Sequence, residues 1–222
     1  MVDDTNVTDR PAASPQRFAV CWSGGSGVAY GQRLVEALLE LGHEVHLTAT
    51  GAARRVLRHE AGVEDVHDLA ALFPAALRSR LTVHALGAVE STPASGSARL
   101  HATVIVPCSM GTLARVAHGW SSNLVERAAD VAIKEGRPLV VVPRETPLSV
   151  IHLENMLKLA RLGVVVLPAM PGFYHRPQSI GELVDFVVGK ILDRLGLEHE
   201  LFRRWKTPTA RDGSPFQEGE DE

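Results

Sequence analysis

Phe18-Ala-Val-Cys-Trp-Ser-Gly-Gly-Ser-Gly27 carries an apolar run directly into a small-residue turn. Five apolar residues, the length of a buried strand, run into a turn of serines and glycines. An amphipathic pattern over 28–41 follows and stops at Gly42, a residue suited to the left-handed end of a helix. Strand, small-residue turn and helix in that order form the opening unit of a parallel α/β sheet.

The unit recurs along the chain. Further strand-sized apolar runs cover 45–49, 103–107, 139–142 and 164–167, with a weaker one at 81–86. Such continuous apolar runs are typical of strands covered on both faces. Helical patterns cover 52–60, 113–119, 123–135, 150–162 and 180–195, and Gly136 and Gly163 close two of them. The expected fold is therefore a doubly wound, Rossmann-like parallel sheet in a single domain over 18–205. The polar residues 1–17 read as a disordered leader, and the proline-, glycine- and acid-rich residues 206–222 as a disordered tail.

Bulk composition narrows the function. The chain has 222 residues, 45% hydrophobic and 22% charged, so it can bury a sizeable core. A formal net charge of −3 gives no electrostatic reason to expect nucleic acid or a membrane surface as partner. No apolar run approaches the roughly 20 residues of a membrane-spanning helix, and the N-terminus has no signal-peptide core. Two cysteines, Cys21 and Cys108, rule out a disulfide framework and suit a reduced, cytoplasmic protein. The ten histidines show no metal-ligand spacing. The nucleophile elbow of serine hydrolases is absent.

In open parallel sheets, ligands bind beyond the carboxyl ends of the strands. After the first strand comes Ser23-Gly24-Gly25-Ser26-Gly27, where backbone N–H groups and a helix start can meet an anion. A tight turn without a ligand would have the same composition. Neither the dinucleotide G-x-G-x-x-G pattern nor the Walker pattern is present. Thr50 stands at the end of the second strand, where a dinucleotide enzyme places an acid, so a mononucleotide fits better. Pro107-Cys108-Ser109-Met110-Gly111-Thr112 opens another helix, as a ligand loop or a plain serine cap. Arg127 and Lys134, seven residues apart, share one helix face, toward an anion or toward solvent. Pro143-Arg144-Glu145-Thr146-Pro147 offers a cation and an acid, as a phosphate clamp with a proton carrier or as a surface ion pair. Residues 91–97 (STPASGS) read as a loop too polar for the core, either linker or ligand loop. Residues 168–177 form a proline-fixed loop carrying Tyr174 and His175, either a pocket wall or a crossover to the last helix.

Taken in order, six segments resemble the UbiX/Pad1 flavin prenyltransferase family: Pro93–Ser97, Pro107–Thr112, Glu126–Glu135, Val142–Pro147, His152–Met156 and Pro171–Ser179. The resemblance spans 18–205 and is weakest from 60 to 81. It implies a flavodoxin-like flavoprotein that transfers a dimethylallyl group from dimethylallyl phosphate to N5 and C6 of reduced FMN. The product, prenylated FMN, would serve a UbiD-type decarboxylase, and the enzyme would be a metal-independent homododecamer. By the same resemblance Gly24, Gly25, Ser26, Thr50, Ser109, Met110, Gly111, Thr112 and Arg127 hold the flavin. Ser95, Lys134, Arg144, Tyr174 and Lys190 hold the prenyl phosphate. Ser26, Glu145 and Lys134 are the catalytic set. Three positions depart from the family: Gly25 where most members have alanine, Val89 where some have tryptophan, and Lys190 where many have arginine. Two other readings are a flavin-dependent cysteine decarboxylase, which shares the fold, and a non-catalytic FMN carrier.

Overall fold

The computed structural model describes residues 14–205. The expected tail and the first thirteen residues of the expected leader lie outside them. The chain falls into two compact units, Met1–Ala169 and Met170–Glu222.

The first unit holds a six-stranded, wholly parallel sheet: β1 (Arg17–Trp22), β2 (Glu44–Ala49), β3 (Leu81–His84), β4 (Ala102–Cys108), β5 (Leu139–Pro143) and β6 (Val165–Val166). Their spatial order is β3-β2-β1-β4-β5-β6. All six expected strands form, including the weak third. The helices are α1 (Val28–Glu40), α2 (Gly51–Ala61), α3 (Met110–Ala117), α4 (Leu124–Lys134) and α5 (Val150–Arg161). The second unit contains α6 (Ile180–Arg194). Among the described residues, no helix is long and apolar enough to cross a membrane.

Alternation along β1 shows how the sheet is covered. Cys21 lies in one core cluster with Ile105, Leu113, Val125 and Ala129, under α3 and α4. Trp22, one residue on, points the other way. A Cβ on Gly31 of α1 would meet its indole and the Val106 carbonyl at 2.6 Å, so only glycine lets α1 lie this close. Strand order reverses between β1 and β4, and that reversal places the two loops of interest, 23–27 and 109–112, side by side.

Local chemistry sets the helix boundaries. Thr50, Ser109, Asn123, Ser149 and Ser179 each accept a backbone N–H at a helix start. Gly42, Gly136 and Gly163 take positive φ just beyond their helices. The 91–97 loop departs from its expected exposure, because Pro93 and Ala94 are buried where this segment packs on α4.

One polar contact sits near the sheet edge. His46 Nδ1 and His84 Nε2 are 2.9 Å apart on adjoining strands, sharing one proton. Burial, then the charges of His84 and Arg17, pushes His46 down to about 4. The unfolded chain therefore binds the proton first. Stability is complete above 6.5 and is lost as pH falls toward 4. The full shift would be worth roughly 3 kcal/mol, reduced to about 1–2 kcal/mol because the ring is only half buried. Urea midpoints measured across that range are expected to fall with pH, and less steeply in His46→Leu.

Candidate functional site

The site is built around Ser23, the first residue of the loop after β1. It is 1% exposed. Its N–H and its hydroxyl both donate to the Pro107 carbonyl, at 3.1 and 3.0 Å, and its Oγ accepts the Ser109 N–H at 2.7 Å. One side chain thus locks the β1–α1 loop to the β4–α3 loop. The two glycines that follow make the closeness possible. A Cβ on Gly24 would lie 2.6 Å from Ala52 Cβ, and one on Gly25 would lie 3.3 Å from Pro107 Cβ. Gly25, one of the departures from the family pattern, therefore relieves a tight approach between loops.

Gly27 begins α1 at φ 98° with no side-chain cap, so the helix start is open to an anion. Glu60 supplies one. Its carboxylate accepts the Gly27 N–H at 3.1 and 2.9 Å and the Val28 N–H at 3.0 Å. Burial alone would raise its pKa. The Ser26 hydroxyl bond, the two backbone N–H groups and the Arg144 charge outweigh burial and hold the carboxyl below its ordinary range. Glu60 was not among the expected site residues. The available signal was an acid in the last turn of a basic helix, after Arg54, Arg55, Arg58 and His59, where it opposes the dipole of α2.

The other loops close around this corner. Thr50 caps α2 by accepting the Ala53 N–H at 3.0 Å, and its own N–H donates to the Trp22 carbonyl. Ser109 caps α3 and donates to Thr112 Oγ1 at 3.1 Å. The cap expected as the simpler reading of Ser109 is present, alongside the tie to Ser23. Met110 is buried in the core cluster, so it offers the site its backbone and not its side chain. Arg144, just beyond β5, acts electrostatically on both Glu60 and Tyr30. Glu145 is exposed, and its carboxylate accepts the N–H of the adjoining Thr146 at 3.1 Å. Tyr30, also absent from the expected set, has its ring 2.8 Å from where a Gly27 Cβ would sit.

A second cluster gathers on α4. Arg127 donates to the Ala94 carbonyl at 3.3 Å and pairs with Asp130 at 2.9 Å. Lys134 pairs with Glu135 at 2.6 Å. A Cβ on Gly96 would stand 3.2 Å from Lys134 Nζ, and Ser95 and Ser97 share a 2.9 Å hydroxyl contact. Arg137 donates to the Gly96 carbonyl. The structure thus brings Ser95 and Lys134 together and ties Arg127 to the same loop.

In the second unit, Tyr174 meets Phe186 and Trp205 edge-on, with ring centroids 5.9 and 5.5 Å away. Lys190 lies 3.6 Å from Asp193. Among the described residues no group of three or more metal-ligating side chains occurs. Cys21 and Cys108 are free and buried, and burial raises the Cys21 thiol to about 12, which keeps it protonated and unreactive.

Residues 8–192 match the Flavoprotein family. The flavin prenyltransferase UbiX of Halalkalibacterium halodurans is 50% identical over 190 residues, covering 85% of this chain and 92% of that protein. A dodecameric FMN-dependent UbiX-like decarboxylase from Escherichia coli O157:H7 superposes with a TM-score of 0.79 at 41% identity, over 86% of this chain and all of that one. AnUbiX (PadA1), solved with FMN and dimethylallyl pyrophosphate, gives a TM-score of 0.78 at 37% identity, over 88% of this chain and all of that one.

Proposed function

The chain belongs to the UbiX flavin prenyltransferase family, and from that premise we propose that it joins a dimethylallyl group to N5 and C6 of reduced FMN. Dimethylallyl phosphate is the donor and phosphate the leaving group. Residues 18–205 form the catalytic domain. The observation that carries this reading is the corner at the strand-order reversal. There the start of α1, Ser26 and Arg144 already gather around the Glu60 carboxylate. Such a place accepts anionic and hydrogen-bonding groups without rebuilding the backbone.

FMN is a substrate here, and the residues present fit it. Gly24, Gly25 and Ser26 offer a glycine-lined edge. Thr50 stands at the start of α2, the start of α3 leaves N–H groups at Met110 and Gly111 beside the Thr112 side chain, whose own N–H goes to the Ser109 cap, and Arg127 lies beyond. By the family resemblance the donor's phosphate is assigned to Ser95, Lys134 and Arg144 of the first unit and, separately, to Tyr174 and Lys190 of the second. Negative charge grows on that phosphate as its bond to carbon breaks, so hydroxyls and cations directed at it lower the barrier. The allyl group bonds N5, which gives up its proton, and then closes on C6, which loses another. One proton returns to the allyl double bond, so the flavin gains C5H8 overall. Glu145 and Ser26 move these protons. Glu60, bonded to Ser26, joins them as a second carboxylate at the same corner.

Assembly belongs to the same proposal. Val150, Ile151, Leu153 and Leu157 of α5 are 70%, 67%, 50% and 50% exposed, an apolar face that the described residues leave uncovered. Further copies of the chain cover it, in a dodecamer like that of the E. coli relative. The product passes to a UbiD-type decarboxylase in the cytoplasm.

The test is anaerobic incubation with reduced FMN and dimethylallyl phosphate, followed by mass spectrometry of the extracted flavin. A mass gain of one C5H8 is expected. A parallel arm with dimethylallyl pyrophosphate separates the two donors. Flavin that is bound but unmodified in both arms would overturn the proposal in favour of an FMN carrier.

A further inference from the structure

We infer that Asp193 is a positioning residue for Lys190, held in place by the segment after α6 through Arg204 and His199. The inference rests on the proposal that Lys190 binds the donor's phosphate.

Every contact lies within the second unit. Asp193 stands one turn beyond Lys190 on α6, with 3.6 Å between Oδ2 and Nζ. Arg204 grips the same carboxylate with both guanidinium nitrogens, at 2.7 Å to Oδ1 and 3.1 Å to Oδ2. His199 Nε2 reaches Oδ1 at 3.2 Å, and the His199 side chain is 3% exposed. Phe202 completes the group, with its ring centroid 5.8 Å from Lys190 Nζ and 5.5 Å from the Arg204 guanidinium. The segment can lie this close because position 189 is glycine, where a Cβ would stand 2.5 Å from the Phe202 ring and 2.6 Å from the His199 ring. Burial would raise the Asp193 carboxyl. The Arg204 bonds and the charges of Arg204, His199 and Lys190 prevail and keep it ionised below the usual aspartate range.

An isolated lysine–aspartate pair on a surface contributes little, because two long side chains must be ordered for one weak contact. Here the ordering is shared. A bidentate arginine and a buried imidazole fix the carboxylate, and the carboxylate and an aromatic face then fix the ammonium. Two permanent cations share one carboxylate, so positive charge remains. The Lys190 side chain is still 49% exposed, which leaves it open to a phosphate. A lysine is a point charge on a flexible stem and lacks the preset fork of an arginine. At position 190, the orientation an arginine would carry in its own geometry is supplied by Asp193 and its holders.

Donor kcat/KM, FMN affinity and thermal midpoint should be measured for Lys190→Ala, Asp193→Asn, Arg204→Gln and each of the latter two combined with Lys190→Ala. Asp193→Asn is expected to lower donor kcat/KM by about tenfold and Arg204→Gln by about threefold, with FMN affinity kept. In the Lys190→Ala background neither change should lower it further, because both act through the missing ammonium. If Lys190→Ala lowers donor kcat/KM but Asp193→Asn and Arg204→Gln do not, the positioning role is overturned while the phosphate role stands. If Lys190→Ala itself has no effect, the phosphate role fails. If Asp193→Asn or Arg204→Gln costs as much without Lys190 as with it, the hub supports the fold alone and the inference is wrong.

Discussion

Glu145→Gln is expected to lower prenylation turnover by roughly 10²–10⁴-fold, the span of a lost general acid–base group, while FMN affinity stays within about twofold. Strand β5 is buried along its whole length and delivers Arg144 and Glu145 together at its carboxyl end. Their environments then diverge. Arg144 acts on Glu60 and Tyr30. The Glu145 carboxylate accepts the N–H of its own neighbour at 3.1 Å and is exposed among the described residues. Glutamine keeps the shape and can still accept that bond, but it cannot take up a proton. Single-turnover mass spectrometry under anaerobic conditions measures the loss, and flavin titration checks the binding. Normal turnover in Glu145→Gln would remove it from the proton path and leave Ser26 and Glu60 as the carriers.

Trp22→Ala is expected to cost about 3–5 kcal/mol of stability, because the cavity left by the largest core side chain cannot be refilled by its neighbours. Trp22 is 0% exposed at the end of β1, against Gly31 of α1 and the ring of Phe73. Its carbonyl also accepts the Thr50 N–H, so collapse there would disturb the loops after both β1 and β2. FMN affinity should therefore fall together with the urea midpoint. Trp22→Phe is expected to be much milder. The indole N–H is buried with no partner among the described residues, and removing it relieves a desolvation cost that offsets part of the lost packing. A Trp22→Phe variant as damaged as Trp22→Ala would show that the indole N–H has a partner after all.

Strands and helices were legible in the chain because each signal is local. An apolar run of five residues, a serine or threonine before a helical pattern and a glycine after it act within a few residues of one another. The structure places strands at 17–22 and 139–143 and the cap at Ser109 accordingly. The loops beyond β1, β4 and β5 were legible for a related reason. In a parallel sheet the carboxyl ends of the strands share one edge, so small and charged residues just after them are brought together by topology alone.

Other features depend on distance in the chain. Glu60 reaches the start of α1 from 32 residues beyond Val28. Ser23 meets Ser109 across 86 residues, and Gly24 is constrained by Ala52 of the next helix. Nothing in the neighbourhood of these residues announces the partner. The grip of Arg204 on Asp193, 11 residues apart, likewise appears only once the chain turns back along α6. The parallel sheet, its helices and the shared edge of the strand ends are written in local residue patterns, because periodicity and capping are short-range physics. Which carboxylate sits on the helix start, and what holds Lys190, emerge with folding, because those contacts exist only where distant segments are packed close enough to exclude water and must satisfy each other's charge.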